Sequence, residues 1–105
     1  MSASRRYEIL LPLQFNDAQP VPDSLVGDAL LELRQRFGAV TWETQIIRGT
    51  WEHGGRVYHD DLMRVVIDVA DTEDNRRFLR LFKEHLKIRF RQLDIWMTTH
   101  LIEVV

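Results

Sequence analysis

The chain has no cysteine, only three serines, five glycines and three prolines, and no apolar run long enough to cross a bilayer. Each shortage closes off a class of function. Without cysteine there is no disulfide framework and no thiolate nucleophile, and most structural zinc sites are excluded. Arg5 and Arg6 precede a short apolar stretch, but Pro12 and Gln14 interrupt it and no small-residue cleavage site follows. The segment therefore reads as neither a membrane span nor a secretory leader, and a cytoplasmic location without membrane attachment is expected. The serines are Ser2, Ser4 and Ser24, in the N-terminal tail or at a helix start, and none is placed to pair with a histidine. Nucleophilic catalysis thus finds no support. Gly54-Gly55 is followed by a strand-like run rather than a helix, so it is a turn and not a phosphate loop. No catalytic residue, metal or cofactor is assigned, and a non-catalytic role is expected.

What is present is enough for one domain, residues 1–105. An apolar fraction of 45% with three Trp supports a core that needs no metal or disulfide staple. Net charge is −2, but it is unevenly spread. Arg76, Arg77, Arg80, Lys83, Lys87, Arg89 and Arg91 face only Glu84 among the acids of that stretch. The segment carries +6 and leaves −8 on the remainder.

Six elements can be read. Tyr7–Leu13 alternates as a strand, and Asn16–Pro22 is a loop by its turn residues. A helix follows from Pro22-Asp23, with Val26, Ala29, Leu30, Leu33 and Phe37 at helical spacing and Gly38 as its stop. Val40–His53 and Arg56–Val69 are two strands joined at Gly54-Gly55. A second helix starts at Asp71–Asp74 and runs to Arg91, with Phe78, Leu79, Phe82, Leu86 and Phe90 on one face. Leu93–Val104 is the last strand. The order β-α-β-β-α-β is the α+β, ferredoxin-like split arrangement: four antiparallel strands with both helices on one face.

A two-residue turn at the diglycine pairs His53 with Arg56, Trp51 with Tyr58, Arg48 with Asp61, Ile46 with Met63 and Trp42 with Ile67. Met63, Val65, Ile67 and Val69 then share a face with Trp42, Thr44 and Ile46, which is read as the face under the helices. The other face carries Ile47, Trp51, Tyr58, Leu62 and Val66, with Gln45, Glu43, Arg64 and Asp68 between them. Leu10 and Trp96 join it by alternation. A ferredoxin-like domain leaves that face without helical cover. Seven sizeable apolar side chains there exceed what a monomer ordinarily exposes, so a second copy in a two-fold dimer is expected to cover them. The alternative is that Arg64 and the C-terminal residues fold over the patch, or that Trp96 faces inward. The hairpin is also long enough to project, either as an arm that embraces a partner or as a solvated tip stapled by Trp51 and Tyr58.

Other constellations are weaker. His53, His59, Asp60 and Asp61 look like metal ligands, but the register puts His53 on one face of the ribbon and His59 and Asp61 on the other. Asp61 is expected to pair with Arg48. His85 falls in the apolar arc of the second helix and is expected to be partly buried. Glu43, Arg64 and Asp68 are candidate polar groups for a ligand on the open face, and Glu43 and Asp68, or Glu8, are candidate paired carboxylates. Arg76, Arg80, Lys83, Lys87 and Arg91 form a ridge expected opposite the apolar stripe. It is either a solvated face or a surface for an acidic protein or nucleic acid.

The run Trp51–Ile102 has a Trp-x-x-Gly hairpin, an aromatic-rich helix ending in Arg89-Phe90-Arg91-Gln92, and a strand after it. In these features it resembles a group of small bacterial proteins to which no activity is attached. The resemblance implies a ferredoxin-like domain and transfers no functional residue. Three functions follow in order: a self-associating binding or regulatory module using the open face; a dimeric α+β barrel binding a small molecule on that face; and a binder of nucleic acid or acidic protein through the second helix.

Overall fold

A computed structural model describes residues 3–105. Its elements are β1 (Ser4–Pro12), α1 (Asp23–Phe37), β2 (Thr41–Trp42), β3 (Ile47–His53), β4 (Arg56–Ala70), α2 (Glu73–Arg89) and β5 (Met97–Ile102). The sheet is antiparallel, in the order β2-β4-β1-β5, and β3 continues along the β4 edge that β2 begins. Both helices lie on one face. Tyr7, Ile9 and Leu11 of β1 and Val65, Ile67 and Val69 of β4 are buried with Ala29, Leu33, Leu79, Phe82 and Leu86 of the helices. Met63 packs against the same core. The α+β, ferredoxin-like reading therefore stands, with five strands in place of four.

The fifth strand arises because the expected second strand breaks. β3 pairs Ile47 with Leu62, whereas β2 pairs Trp42 with Val65. Residues 43–46 thus stand against only Met63 and Arg64, a bulge with two extra residues on the edge strand. The expected pairs Ile46–Met63 and Trp42–Ile67 do not form. Because the slip is by two and not one, the alternation of faces survives it. Burial does not: Trp42 and Ile46 are 46% and 54% exposed, and Thr44 is exposed as well. The polar run Glu43-Thr44-Gln45 gains little from burial, and it carries its neighbours out of the core.

The helix boundaries have local causes. Gly38 takes φ 83° and donates its N–H to the Arg34 carbonyl, closing α1. Thr72 caps α2 by accepting the Asn75 N–H at 3.2 Å. α2 stops at Arg89, short of the expected Arg91, because Arg91 itself adopts a left-handed φ of 53°. Its guanidinium then lies over the Phe15 ring, 4.9 Å from the centroid.

Two readings of α2 need correction. His85 is exposed, not partly buried. At about 100° per residue it sits roughly 100° from the centre of the Leu79–Phe82–Leu86 stripe. By the same arithmetic the basic ridge flanks the stripe instead of opposing it. The far side belongs to Arg77, Glu84 and Ile88, which are exposed.

The hairpin turns as expected, with positive φ at Gly54 and Gly55 and His53 opposite Arg56. β1 reaches Leu62 on β4 and the Leu13 N–H still donates to the Asp61 carbonyl at 2.8 Å, so Arg56–Asp60 run on with β3 as their one partner strand. Five residues at roughly 3.3 Å each make an arm about 16 Å long. The radius of gyration is 14.3 Å, against roughly 13 Å for a compact chain of this length. The accessible surface is 7099 Å², against roughly 6,200 Å² for a compact monomer of this mass.

The helices are tied to each other at both ends of α2. Phe37 meets Phe78 edge to face with centroids 5.5 Å apart, and Arg89 grips the Glu32 carboxylate with both terminal nitrogens. The hydrogen bonds from Arg89 hold the Glu32 carboxyl below its ordinary range, against a smaller opposing effect of burial. A carboxylate lowered in the folded state stabilises above its unfolded value and loses that contribution as pH falls through the folded value. Glu32→Gln is therefore expected to cost about 0.5–1 kcal/mol at neutral pH, the range of a screened surface pair. Urea unfolding should show the gap closing as pH drops below about 4; a gap that persists in acid would mean the pair is not its source.

Candidate functional site

The helix-free face divides into two halves. One is a charge ladder. Arg6 binds both Asp68 oxygens, at 2.8 and 3.0 Å, and Arg64 donates to Glu43 at 3.0 Å. Asp68 is held below the ordinary carboxylate range by the Arg6 hydrogen bonds, with burial opposing and the Arg6 charge reinforcing. Glu43 and Asp68 are thus each committed to an arginine, and they do not form the paired carboxylates considered from sequence. Val66 sits in this half, between Glu8 of β1 and Thr41 of β2. With Arg6, Trp42 and Asp68 it lines a shallow hollow of about 300 Å³.

The other half is apolar and concave. A trough of about 750 Å³ runs between the arm and the loop before β5. Leu10 and Pro12 of β1, Leu62 of β4, and Leu93, Ile95 and Trp96 of the loop line it, with Trp51 and Asp60 on the arm side. The Leu10 N–H donates to the Trp96 carbonyl at 3.0 Å, which fixes Trp96 beside Leu10. The indole is 66% exposed. Of the seven residues expected on an apolar open face, Leu10, Trp51, Leu62 and Trp96 converge here. Ile47 is paired with Leu62 on the same face, Tyr58 lies behind Trp51, and Val66 is set apart among charges.

The arm side is rigidly built. Trp51 stacks on Tyr58 with centroids 4.5 Å apart and planes 17° from parallel, and the Arg56 guanidinium covers the Tyr58 ring at 4.9 Å. The Trp51 indole N–H donates to Asp60 Oδ2 at 2.6 Å. Such a pair contributes about 0.5–1.5 kcal/mol beyond its buried area, and the bond to a carboxylate is of the stronger, charge-assisted kind. The stapled tip considered from sequence is therefore present, on an arm that also projects.

The other candidates are dispersed. Among the described residues no three His, Asp or Glu side chains gather where a metal ion could be held. Asp61 pairs with Arg48 at 3.4 Å, as the register requires. Ser4 lies in β1 and Ser24 in the first turn of α1; Ser2 falls outside the described residues. Every member of the basic ridge has a partner: Arg76 with Asp71, Arg80 with Glu73, Lys83 with Asp94, Lys87 with Glu84, and Arg91 with the Phe15 ring. Burial raises the Asp94 carboxyl, but Lys83 and the Ile95 N–H outweigh it and hold the group low. Four of the five cations are thus ion-paired within the chain.

Asp94, Pro12 and Leu93 were not singled out as site residues from sequence, and Asp60 was considered only as a metal ligand beside His53, His59 and Asp61. Asp60 was within reach, because it lies two residues from Tyr58 and opposite Gly49, on the Trp51 face. Asp94 gave no signal, since its place depends on how the loop after α2 folds back.

No family model and no curated protein matches the chain. Its fold is similar to that of a phage SAM lyase solved in complex with S-methyl-5'-thioadenosine, with a TM-score of 0.74, 12% identity, and coverage of 96% of this chain and 83% of that one. CutA1 from Oryza sativa is similar at a TM-score of 0.61, with 15% identity over 99% of this chain and 84% of that one. CutA from Synechococcus elongatus gives 0.60, with 6% identity over 97% and 79%. At such identities the likeness establishes the fold, a small ferredoxin-like α+β domain.

With Trp42 and Trp96 changed to Phe, Trp51 becomes the only tryptophan. In that background Asp60→Ala should shift its emission to the red and weaken its near-ultraviolet circular dichroism. Spectra unchanged by the substitution would show that Asp60 does not hold the ring.

Proposed function

We propose that the protein is a binding module that acts through the apolar half of its helix-free face and assembles with copies of itself there. The observation that carries this reading is the arm. It stands about 16 Å beyond the β1 side of the sheet with unpaired strand edges, and an isolated two-stranded ribbon is marginal in water. It borders a trough whose Trp96 is largely exposed. The surface above that of a compact monomer is on the order of 900 Å², close to one partner's share of about 800 Å² in a standard interface. Light scattering at tens of micromolar protein should return a multiple of the monomer mass. Trp96→Glu, at a position the fold does not bury, should shift it to monomer with circular dichroism unchanged. A wild-type monomer at that concentration would overturn the reading.

A second reading is supported by the trough itself: it accepts a small molecule. Its volume of about 750 Å³ lies within the roughly 300–1,000 Å³ of ordinary ligand sites, and its apolar wall with a few polar groups fits them too. The solved phage SAM lyase of similar fold holds S-methyl-5'-thioadenosine. A flat base with an apolar thioether is also the kind of ligand that two indoles and three leucines would accept. Titrating that compound should quench tryptophan fluorescence saturably, and Leu62→Glu should abolish the change. Absence of saturable quenching up to millimolar ligand would count against it.

A further inference from the structure

The trough contains an imbalance of charge that the fold does not resolve. Its charged lining groups are Asp60, Asp94 and Lys87, with His53 on the arm side. Asp94 is paired with Lys83 at 3.2 Å and Lys87 with Glu84 at 3.3 Å. Asp60 is different. Among the described residues it forms no ion pair with any Lys or Arg, whereas its sequence neighbour Asp61 pairs with Arg48, Asp68 with Arg6 and Glu43 with Arg64. Its one hydrogen bond is the Trp51 indole N–H on Oδ2, a neutral donor that fixes the carboxylate without cancelling its charge. Leu62, Leu10, Trp51 and Trp96 line the same trough.

We propose that the trough selects a small organic cation, with Asp60 as its counter-ion and the indoles of Trp51 and Trp96 as its walls. The inference rests on the trough's being a small-molecule site. An indole face attracts a cation more strongly than Tyr or Phe does, and the attraction grows as water is excluded. A carboxylate at the edge of the same concavity adds a direct charge partner. One face of Trp51 is already occupied by Tyr58, so the ring is held in place before any ligand arrives. Lys87 does not oppose the arrangement, because Glu84 neutralises it. A soft, weakly hydrated onium group with an apolar body suits this lining better than a hydrated metal ion, for which the cavity has too few oxygen ligands.

Choline and its uncharged isostere 3,3-dimethylbutan-1-ol separate charge from shape. Tryptophan fluorescence titration of the full chain should show choline binding about ten-fold or more tighter than the alcohol. Asp60→Asn keeps an acceptor for the Trp51 N–H and removes only the charge; it should erase that preference while leaving the alcohol's affinity unchanged. Should this variant fail to fold, Trp96→Leu serves instead, weakening choline more than the alcohol. Equal affinity for the two compounds overturns the cation proposal and leaves the small-molecule reading intact. So does binding of S-methyl-5'-thioadenosine with no response to choline. If none of the three compounds binds, the small-molecule reading fails together with the proposal.

Discussion

A hairpin that turns in two residues leaves its strands no choice of register, and most of the functional surface follows from that constraint. Gly54 and Gly55 both take positive φ, which commits His53 to Arg56 and so Trp51 to Tyr58. Side chains then alternate along β4 from Tyr58 to Val69. Even-numbered residues fall on the helix-free face and odd-numbered ones under the helices, where Val65, Ile67 and Val69 are buried. Asp60 comes to share a face with the Trp51 indole, and Leu62 with Leu10 and Trp96. Had the turn held one more residue, Trp51 and Asp60 would face opposite sides of the ribbon.

The helix-free face shows why counting apolar residues overstates a patch. Leu10, Leu62, Val66, Trp51 and Trp96 do share that side of the sheet, yet two arginines divide it. Arg6 and Arg64 lie across β1 and β4 and tie up Asp68 and Glu43, screening Val66 and leaving the apolar groups at one end. What remains is smaller than a whole-face interface but concave, and concavity is what a flat ladder of alternating residues cannot reveal. Curvature comes from outside the sheet here, from the loop of Leu93 to Trp96 rising on one side and the arm on the other.

That distinction marks how far the sequence could be read. Element order, the diglycine turn, the Arg48–Asp61 pair, the stop at Gly38 and the start of α2 within Asp71–Asp74 were legible, because each rests on near neighbours or on strict alternation. The break at residues 43–46 was not. A bulge of two residues leaves the alternation intact, so Trp42 keeps the right parity opposite Val65 while losing its cover. The basic ridge was legible as a ridge, but its neutralisation depended on acids from other elements: Asp94 beyond α2 and Asp71 before it. His85 was misplaced by treating a helix flank as its centre. The trough was half legible. Its sheet residues followed from register, whereas Asp94 and Leu93 required the chain reversal at Arg91, where a non-glycine residue holds a left-handed conformation through its contact with Phe15.

Self-association and ligand binding are usually rival uses of one surface, but here each supplies what the other lacks. The trough is open along its length, and a small-molecule site generally buries about 70–90% of its ligand, which an open trough does not do. The arm, conversely, carries an ordered aromatic stack into solvent, with the Arg56 guanidinium laid over its Tyr58 ring. A neighbouring copy seated over Trp96 would give the arm its packing and the trough its lid in one step. Water would then be excluded around Asp60, and an unpaired carboxylate in such a setting becomes costly unless a cation accompanies it. On the proposed reading, assembly and occupancy would be coupled: a cation in the trough would lower the cost of covering Asp60, and the cover would in turn strengthen its hold on the cation.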